Sequence, residues 1–443
     1  MIVSTHSGGG KTTVTQGLLA WLMQQNYKVQ SFKLGPDYID SGHHQQMTGR
    51  PCINLDSFLL DSLEDEFQRY AKDMDVVLIE SVGGLFDDFS RDNNSAAAIA
   101  KKLKIPIILV IDAFSACQTA GIMANALLEY DSELSITGVI FNRVSSSQHF
   151  GIASEVVKNQ DWVLGSLPYC SELALQERHL GLITAQEKPG SYQQNFMANL
   201  IEERIDCKKL LSIQTEIEVS SEKQEIKKIQ KSCILAVARD SAFSFYYHAN
   251  LEMLKSYGAE IVYFSPLNDP FLPEGVNALY IGGGYPELHA KKLSENKTLL
   301  KQILNLIENN LPIYAECGGL IYLSEAVQNP DDKNYYPMLG VFPFQVDFSD
   351  KLALSYVRCR LLKDCLIGQK GDQMKGHVFH RTQIRQPFEP ACEIENLADD
   401  SIGLEGYVYK NVFASYAHLH FNNCPRVAEN IVNNAILYKE NHA

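Results

Sequence analysis

Two groups of residues in this chain have the types and the spacing that chemical reactions need. One is a glycine-rich run near the start of the chain, Ser4–Thr13, which ends in a lysine and two threonines. The other is Cys317, which lies between an apolar strand pattern and two glycines. The first group predicts a site for the phosphates of a nucleotide, and the second predicts a nucleophile.

The glycine-rich run has the order of a phosphate-binding loop, because an apolar strand pattern precedes it and a helical pattern follows it. Consecutive glycines let backbone N–H groups close around phosphate oxygens, and the positive end of the helix dipole adds to the attraction. In such a loop Lys11 reaches the β- and γ-phosphates and Thr12 ligates Mg²⁺. A strict loop of this type has glycine where this chain has Thr5. The predicted nucleotide-binding residues are Gly8, Gly9, Gly10, Lys11, Thr12 and Thr13.

Acidic residues follow the next two predicted strands, in the run Lys33–Asp40 and from Glu80 onward. In an open parallel sheet, ligands bind beyond the carboxyl ends of the strands, so these acids should face the loop. Mg²⁺ takes one or two carboxylates together with phosphate and water oxygens. We therefore predict a metal site of Thr12, Asp37 and Glu80. Asp87 could position an acid substrate, although acids are also common in turns for structural reasons.

A further predicted strand ends at Asn142, and Arg143 follows it. Because this strand belongs to the same parallel pattern, its carboxyl end should also face the loop. Both residues could contact the base or the phosphates of a nucleotide, and an ordinary structural role is equally consistent with the sequence.

The segment Leu311–Leu320 consists of a buried-type strand, then Cys317, two glycines and the start of an apolar helix. This order is typical of a nucleophile on a sharp strand-to-helix turn, where glycines relieve the strained backbone. The N-terminus of the helix is expected to lower the pKa of the thiol. The other nine cysteines have no comparable surroundings, and we expect them to be inert.

Two other segments could complete a thiol-dependent site. The run Ile281–Glu287 contains three glycines whose backbone N–H groups suit an oxyanion hole. The predicted oxyanion-hole residues are Gly283, Gly284 and Gly318. Near the C-terminus, His418 and His420 lie on one face of a short strand, and either could accept the thiol proton. His377 and His380 are expected to be structural or to lie at the rim of the substrate site.

These residues lie on a repeating pattern of short apolar runs and amphipathic helical stretches, which predicts parallel sheets covered by helices. The predicted strands of the first half are Met1–Thr5, Val29–Leu34, Val76–Glu80, Ile105–Ile111 and Thr137–Asn142. The helical stretches include Thr12–Gln25 and Ala96–Leu103. The pattern restarts at Cys233–Arg239, Glu260–Phe264, Ala278–Ile281 and Pro312–Ala315, and further strand-like segments occupy Met338–Thr382 and Gly406–His420.

A charged and polar stretch interrupts this pattern near the middle of the chain. We predict two α/β domains, residues 1–205 and 232–443, joined by a linker at 206–231. Part of that stretch could also be a strand or a helix at the edge of one domain. A length of 443 residues fits two or three domains.

The composition excludes several classes of protein. The chain has 39 Lys+Arg and 53 Asp+Glu, a net charge of −14, and a field of this sign repels nucleic acid and anionic membranes. No apolar stretch approaches the roughly 18 residues of a membrane span, and the start of the chain lacks a signal-peptide pattern. The ten cysteines are scattered singly. We therefore expect a reducing, cytoplasmic compartment, with neither a disulfide framework nor a zinc site.

Taken in order, these motifs resemble the cobyrinic acid a,c-diamide synthase family, which includes the hydrogenobyrinic acid and nickel-sirohydrochlorin a,c-diamide synthases. The resemblance covers nearly the whole chain. The matching blocks of the first half are SGGGKTT at 7–13, FKLGPDYID at 32–40, GRPCINLD at 49–56, GLFD at 84–87, NRV at 142–144 and ERHLGL at 177–182. Those of the second half are ARDSAFSFYYHANLEML at 238–254, FSPLND at 264–269, GGGYPEL at 282–288, AECGGLIYL at 315–323 and ASYAHLHF at 414–421.

The resemblance implies an N-terminal P-loop parallel-sheet domain of the dethiobiotin-synthetase-like type and a C-terminal class I glutamine amidotransferase α/β domain. By that likeness Cys317 attacks glutamine, His418 is its base, and ammonia passes to the first domain. There ATP and Mg²⁺ convert the a- and c-acetate carboxylates of cobyrinic acid, or of a related tetrapyrrole, to acyl phosphates that ammonia captures as amides. The likeness assigns Tyr38 and Asp87 to the substrate side.

The resemblance also bears on the catalytic groups and the partners. The family's glutaminase is usually described as a Cys–His pair without a third carboxylate, and no His-x-Glu motif follows His418 here. The implied partners are small molecules, glutamine and a tetrapyrrole acid. The oligomeric state stays open, with a homodimer among the alternatives.

The sequence departs from the family pattern at Ser4 and Asp88, where glycine is usual, and at Val378, where glutamate is usual. These departures leave the acid substrate open, so a second hypothesis is an amidotransferase of this family that acts on a different carboxylic acid. A third hypothesis is a nucleotide-dependent binding protein with the same type of loop. The lysine that such switch proteins place five residues before the loop lysine is His6 here, which argues against the third hypothesis.

Overall fold

The computed structural model describes residues 1–88, 94–170, 177–178, 181–182, 191–213, 232–386 and 388–442. The chain divides into two compact units, Met1–Glu222 and Lys223–Ala443. Residues 214–231 of the predicted linker lie outside the described residues, and the domain limits stay a prediction.

The first unit is built on one seven-stranded parallel sheet. Its strands are β1 (Ile2–Ser4), β2 (Val29–Leu34), β3 (Ile53–Leu55), β4 (Val76–Glu80), β5 (Ile107–Asp112), β6 (Ile136–Val144) and β7 (Val163–Pro168). They lie in the order β3-β2-β4-β1-β5-β6-β7, and neighbouring strands are parallel. Strands covered on both faces need continuous apolar runs, which explains the Ile-Ile-Leu-Val run that opens β5.

Eight described helices belong to this unit: α1 (Lys11–Gln24), α2 (Ile39–Thr48), α3 (Leu63–Ala71), α4 (Ala96–Leu103), α5 (Gln118–Tyr130), α6 (Ser147–Ser154), α7 (Ser191–Arg204) and α8 (Cys207–Ser212). A short antiparallel ribbon consists of β8 (Glu177–Arg178) and β9 (Gly181–Leu182). A Cβ on Gly17 would lie 2.8 Å from the side chain of Ile201, so this glycine lets α7 pack closely on α1. In α8, Leu210 and Leu211 pack against the apolar cluster between α1 and the sheet, although this helix lies inside the predicted linker.

The strands and helices predicted for the first half are present within a few residues of the predicted bounds. Two strands of the sheet, β3 and β7, lie outside the predicted set. β3 has three residues, which is too short for a periodic pattern, and β7 contains Gly165 with a φ of 142° and ends in Pro168. Both strands occupy the edges of the sheet, where irregular strands are tolerated.

The second unit contains two sheets. Its strands are β10 (Cys233–Ala238), β11 (Ala259–Phe264), β12 (Ala278–Ile281), β13 (Ile313–Glu316), β14 (Ser324–Gln328), β15 (Tyr335–Pro337), β16 (Phe342–Leu361), β17 (Gln373–Arg385), β18 (Cys392–Asn396), β19 (Ser401–Glu405), β20 (Tyr407–Tyr409), β21 (Val412–Ser415) and β22 (His418–Leu419). The first sheet has the order β11-β10-β12-β13-β21-β20 and is parallel except for β20. The second has the order β15-β14-β16-β17-β22, with β18 beside β16 and β19 beside β18.

The described helices of the second unit are α9 (His248–Ser256), α10 (Ala290–Glu295), α11 (Lys297–Glu308), α12 (Gly318–Leu323) and α13 (Arg426–Asn441). α11 packs one apolar face, including Leu299, Ile303 and Ile307, into the core beside the parallel sheet. The strands predicted from Cys233 to Ala315 are all present, and the antiparallel pair β16–β17 forms most of the segment predicted as strand-like.

Two general features accompany the fold. In the described ranges no helix combines the length and the apolar character that crossing a membrane requires. All ten cysteines are free thiols, and they differ in exposure, since Cys117 is exposed and Cys317 is buried.

Candidate active sites

The loop between β1 and α1 has the backbone shape that phosphate binding needs. Gly8 and Gly10 have positive φ angles of 79° and 95°, and Gly10 caps the N-terminus of α1. Asn142 donates a hydrogen bond of 3.3 Å to the carbonyl of Gly9, and Arg143 donates one of 2.8 Å to the carbonyl of Gly8. The structure therefore brings Asn142 and Arg143, at the end of β6, against the loop.

The first two side chains of α1 are held by groups from the strand ends. The ammonium of Lys11 donates to the backbone carbonyls of Gly83 at 2.7 Å and His6 at 3.0 Å. Burial, and the positive charge of Lys33, lower the pKa of Lys11 to about 8. The hydroxyl of Thr12 donates to Oε1 of Glu80 at 2.7 Å. A lysine amine and a hydroxyl paired with a carboxylate therefore stand at the N-terminus of α1.

Glu80, at the end of β4, is fully buried at the centre of a charged cluster. Its Oε1 lies 2.8 Å from Nζ of Lys33, and its Oε2 lies 2.8 Å from Nε2 of His44. The ammonium of Lys33 also lies 2.6 Å from Asp40 and 3.8 Å from Asp37. Burial alone would raise the pKa of Glu80, but the two cations outweigh it and hold that pKa below its usual range.

Three members of this cluster are absent from the predicted site, namely Lys33, Asp40 and His44. Lys33 carried a usable signal, because a lysine in a strand that is buried along its whole length needs a partner. Asp40 lies three residues after Asp37 in the same sequence block. His44 gives no sequence signal, because its partner Glu80 comes from a distant strand.

A cavity of about 290 Å³ opens beside the loop and the acids. The predicted site residues that line it include Lys11, Thr12, Asp37, Glu80, Asn142 and Arg143. Within the described part of the chain, Tyr38 and Asp87 do not line this cavity. Tyr38 is buried at the start of α2, and Asp87 accepts a hydrogen bond of 2.6 Å from the backbone N–H of Gly84. Their roles on the substrate side stay predictions.

The oxygen atoms near Thr12 fit the preference of Mg²⁺ for hard donors. The Thr12 hydroxyl lies 2.7 Å from Glu80 and 3.3 Å from Asp40, and Asp37 joins the group through Lys33. Glu80 is engaged on both oxygens, whereas the Asp37 side chain is 30% exposed. The three predicted ligands, Thr12, Asp37 and Glu80, therefore lie in one group, with Asp37 the most accessible carboxylate.

In the second unit, Cys317 occupies the turn between β13 and α12. Its φ of 46° is in the left-handed region, which is strained for a residue with a side chain. The Cys317 N–H donates to the carbonyl of Ser415 at 2.7 Å, and the N–H of Gly319 donates to the carbonyl of Gly282 at 3.0 Å. A Cβ on Gly319 would lie 2.1 Å from the carbonyl oxygen of Ile281, so this turn requires glycine at the second position after the cysteine. This is the geometry expected for a nucleophile elbow.

The expectation that the helix terminus lowers the pKa of this thiol is wrong for this state of the site. Cys317 is 3% exposed, and burial raises the pKa of its thiol, with further increases from the carboxylates of Glu287 and Glu316. The thiol lies 3.7 Å from the backbone carbonyl of Phe379, to which it donates. Burial outweighs the dipole of α12, which has only six residues.

The glycine run after β12 lies against both the nucleophile turn and a histidine. A Cβ on Gly318 would lie 3.0 Å from the backbone nitrogen of Gly284. A Cβ on Gly283 would lie 2.3 Å from the imidazole of His418. The structure therefore places Gly284 beside Gly318, the residue after Cys317, and Gly283 beside His418.

The two candidate bases have different surroundings. His418 is fully buried beside Gly283, and burial, together with His380, lowers the pKa of its imidazole to about 3. His420 instead accepts a hydrogen bond from the backbone N–H of Asn422 and packs on Tyr247 at 4.6 Å between ring centroids. The contact with the glycine run therefore favours His418 as the base.

The two other histidines occupy neighbouring structural positions. His377 stacks on His418 at 4.8 Å and hydrogen-bonds the hydroxyl of Tyr247 at 3.0 Å. His380 stacks on Tyr416 at 3.8 Å between ring centroids. These contacts are the kind expected of structural residues beside the site.

The positions that depart from the family pattern have local structural partners. Ser4 is buried, and a Cβ on Gly9 would lie 2.1 Å from its hydroxyl oxygen. Asp88 accepts a hydrogen bond of 3.1 Å from the backbone N–H of Asn94. Val378 lies in β17, opposite Ser355 of β16.

Comparisons with known proteins cover both units. Residues 1–183 match the CobQ/CobB/MinD/ParA nucleotide binding domain, and residues 234–425 match the CobB/CobQ-like glutamine amidotransferase domain. The cobyrinate a,c-diamide synthase of Caldanaerobacter subterraneus subsp. tengcongensis is 39% identical over 428 residues, which covers 95% of this chain and 94% of the relative. The protein of the same name from Listeria innocua is 40% identical over 442 residues, covering 96% and 97%. A solved glutamine amidotransferase structure covers 45% of this chain and 98% of its own, with 18% identity and a TM-score of 0.34.

The positive φ of Gly10 and its approach to Asn142 predict a strong effect of a single methyl group. In Gly10→Ala the Cβ would lie 1.8 Å from the side-chain nitrogen of Asn142, in addition to the strained φ. We expect nucleotide affinity to fall at least tenfold in a binding titration, because Asn142 must move. Gly8→Ala is the matched control, since its φ is also positive but no atom lies within 4 Å of its Cβ. The control should cost only about 1 kcal/mol of unfolding free energy.

A double variant separates the clash from the backbone strain. Asn142→Ala in the Gly10→Ala background removes the two atoms nearest to the new methyl group and should recover part of the lost stability. Equal stabilities of Gly10→Ala and Gly8→Ala in chemical denaturation would contradict this account of the loop.

The pair His44–Glu80 predicts a pH-dependent contribution to stability. Burial by itself lowers the pKa of His44, but the carboxylate of Glu80 outweighs it and raises the pKa to about 10. A raised pKa in the folded state gives stability that is fully present below the unfolded pKa and is lost as the pH rises to the folded one. His44→Gln should therefore cost about 3 kcal/mol at pH 6, and this difference from the parent chain should shrink towards pH 10 in thermal melts.

Cys52→Ala is the control for this experiment. The Cys52 thiol lies 3.6 Å from the other ring nitrogen of His44, and its removal takes away a neighbour but no cation. We expect this variant to keep most of the pH dependence of the parent chain, because Glu80, which raises the pKa of His44 more than Cys52 does, stays in place. A difference between His44→Gln and the parent that is constant from pH 6 to pH 10 would show that the histidine is not charged in the folded protein.

Proposed function

This chain belongs to the cobyrinate a,c-diamide synthase family, and from that premise we propose that it uses ATP and glutamine to amidate the a- and c-acetate carboxylates of cobyrinic acid or a related tetrapyrrole acid. The reaction class is that of a glutamine-hydrolysing carbon–nitrogen ligase in cobalamin biosynthesis. The roles assigned to individual residues of the two units are part of the proposal.

One observation carries the proposal, namely that a single chain holds both halves of the required chemistry. In the first unit, Lys11 and Thr12 begin a helix beside a buried carboxylate. In the second unit, Cys317 stands on a strained turn that lies against a glycine run, and His418 lies against the same run. A phosphate-binding loop serves phosphoryl transfer, and a buried cysteine on an elbow serves acyl transfer. Their combination supports a ligase that makes its own ammonia.

In the second unit, we assign the release of ammonia to Cys317 and His418. The thiol sulfur attacks the side-chain amide carbon of glutamine while His418 accepts the thiol proton. We assign the backbone N–H groups of Gly284 and Gly318 to the oxygen that becomes negative. The N–H of Gly283, the third predicted donor, instead donates to the carbonyl of Phe245 at 3.3 Å. His418 then returns the proton to the leaving nitrogen, the carbon–nitrogen bond breaks, and ammonia departs. Water hydrolyses the remaining thioester to glutamate.

In the first unit, we assign activation of the acid substrate to the loop and the charged cluster. A carboxylate oxygen of the substrate attacks the γ-phosphorus of ATP, ADP leaves, and ammonia then displaces phosphate from the acyl phosphate to give the amide. Lys11 and Lys33 supply positive charge where negative charge is transferred. Glu80 keeps Lys33 charged and in place, because burial alone would lower the pKa of that lysine and the surrounding acids raise it well above its usual value.

Mg²⁺, when bound, would neutralise charge on the phosphates during transfer. Thr12, Asp37 and Glu80 are the residues we assign to hold it, with phosphate and water oxygens completing its shell. The proposal also keeps the remaining predictions from the sequence: domains at 1–205 and 232–443, a cytoplasmic location, small-molecule partners, and a homodimer as one alternative for the oligomeric state.

Replacement of the nucleophile tests the glutaminase directly. Cys317→Ala should lower glutamine-dependent amidation by at least about a thousandfold, because no other group of the site can form the thioester. The same variant supplied with free ammonia should still amidate, since the first unit does not use the thiol. Mass spectrometry of the tetrapyrrole acid measures both reactions, and the mass change counts the amides formed.

Two outcomes of this experiment decide between the hypotheses. Glutamine-driven turnover by Cys317→Ala would refute the assigned nucleophile. If the parent chain hydrolyses ATP with glutamine only when a different carboxylic acid is added, the substrate assignment is wrong and the second hypothesis from the sequence replaces it. Cys117→Ala, which removes an exposed thiol of the first unit, is the matched control and should behave as the parent chain.

The lowered pKa of Lys11 predicts that ATP binding takes up protons. With a pKa of about 8, the amine is half protonated at pH 8, and bound phosphates should raise that pKa. Calorimetric titrations at pH 8 in buffers of different ionisation enthalpy should therefore show an uptake of about half a proton per ATP. Lys11→Arg keeps a positive charge at this position, and the guanidinium is already fully protonated at pH 8. ATP binding to this variant should therefore take up no proton. Equal uptake by both proteins would assign the proton to another group.

A further inference from the structure

Glu316 has a position that the proposed mechanism does not use. It is the last residue of β13, directly before Cys317, and it is 1% exposed. The hydroxyl of Tyr280 donates to its Oε2 at 2.7 Å, and the hydroxyl of Tyr314 donates to its Oε1 at 2.5 Å. A buried carboxylate is costly, and this one is held by hydrogen-bond donors on both oxygens. The two tyrosine hydroxyls therefore fix the position and the orientation of the Glu316 carboxylate.

The same carboxylate reaches the segment that carries the predicted base. Its Oε1 accepts a hydrogen bond of 3.0 Å from the backbone N–H of Leu419, and its Oε2 lies 4.0 Å from Nδ1 of His418. In the described part of the chain, His418 is the one basic side chain within ion-pair distance of Glu316. A distance of 4.0 Å is longer than a hydrogen bond, but catalytic hydrogen bonds in ligand-free sites are often long and tighten with the reaction.

The chain has no acid at the place where a third catalytic group would follow the histidine, because the residue two positions after His418 is His420. The carboxylate close to the ring of His418 is instead that of Glu316. In the sequence, Glu316 directly precedes the nucleophile, whereas the usual third group follows the base. This arrangement would not be visible in a motif search, which compares spacing after the histidine.

We propose that Glu316 is a positioning residue of the glutaminase, and that its carboxylate binds the Nδ1–H of His418 so that Nε2 faces the thiol of Cys317. This inference rests on the proposed roles of Cys317 and His418. The thiol proton moves to Nε2 as the sulfur–carbon bond forms, and it moves on to the leaving nitrogen as the carbon–nitrogen bond breaks. In its ionised form, Glu316 stabilises the imidazolium between these two transfers.

A simpler role for Glu316 makes an opposite prediction, and the two can be separated. The carboxylate also lies close to Cys317, where a negative charge by itself raises the pKa of the thiol. If Glu316 acted only as a nearby charge, its removal would lower the thiol pKa. If it acts through His418, its removal destabilises the thiolate–imidazolium pair and raises the apparent thiol pKa.

The experiment is the pH profile of iodoacetamide alkylation at Cys317 in the full chain, followed peptide by peptide with mass spectrometry. In Glu316→Gln we expect alkylation to slow at least tenfold at neutral pH and its midpoint to move to higher pH. The titratable rings of His377 and His380 also lie near His418, and Glu316→Gln retains both of them. Faster alkylation with a lower midpoint would overturn the proposal.

Glu287→Gln is the matched control. Glu287 is also buried, burial raises its pKa to about 7 as it does for Glu316, and its charge raises the thiol pKa. Glu287 has no described contact with the ring of His418. Its replacement should therefore lower the alkylation midpoint, opposite to the result for Glu316→Gln. A midpoint that moves upward in both variants would mean that any buried carboxylate has this effect, and it would overturn the specific role.

Activity provides the second measurement. Glu316→Gln should lower glutamine-dependent kcat at least tenfold while ammonia-dependent amidation stays within twofold of the parent chain, and Glu316→Asp should recover part of the loss. Unchanged glutamine-dependent kcat in Glu316→Gln overturns the proposal. If Cys317→Ala retains glutamine-driven turnover, the proposed function itself fails, so the two failures are distinguishable.

A further variant covers the case in which Glu316→Gln fails to fold. Tyr280→Phe removes one donor from Oε2 and leaves the carboxylate in place. If Glu316 acts through His418, the more basic carboxylate of this variant should stabilise the imidazolium and lower the alkylation midpoint. If Glu316 acts only as a nearby charge, the less-screened carboxylate should raise the midpoint. A raised midpoint would therefore refute the positioning role.

Discussion

Burial of the Glu80 carboxylate is the constraint on which the first unit depends. A charge with no exposure is tolerated only when cations and donors surround it, and here they come from three separate elements: Lys33 of β2, His44 of α2 and Thr12 of α1. The carboxylate therefore fixes the start of the phosphate-loop helix against the end of the neighbouring strand. The geometry of the loop follows from this electrostatic requirement as much as from the glycines.

The second unit uses a related arrangement with a different outcome. Glu316 is also a fully buried acid at the carboxyl end of a strand in a parallel sheet, but tyrosine hydroxyls surround it in place of a lysine. Donors without charge leave the carboxylate weakly compensated, and burial raises its pKa to about 7. In the first unit the strand-end acid keeps a cation in place, whereas in the second it is available to respond to a charge that forms on a neighbouring ring.

The parts of the two sites that follow from local sequence were predictable. The loop Gly8–Thr13 and the turn at Cys317 depend on contiguous residues whose order fixes the backbone, and the strands that carry them have clear apolar patterns. Lys33 and Glu316 were not predicted, because their roles come from partners on other strands. The predicted direction of the pKa shift of the Cys317 thiol was wrong for a similar reason. The sequence shows the helix after Cys317 but not how deeply the turn is buried.

The hydrogen bond from the Cys317 thiol to the carbonyl of Phe379 has a consequence for the durability of the protein. Oxidants such as peroxide react with the thiolate rather than the thiol, and they need access to the sulfur. A nucleophile that rests as a buried thiol is thereby protected from irreversible oxidation between turnovers. Electrophilic reagents such as iodoacetamide meet the same barrier, so they should modify this cysteine slowly while it rests as a buried thiol.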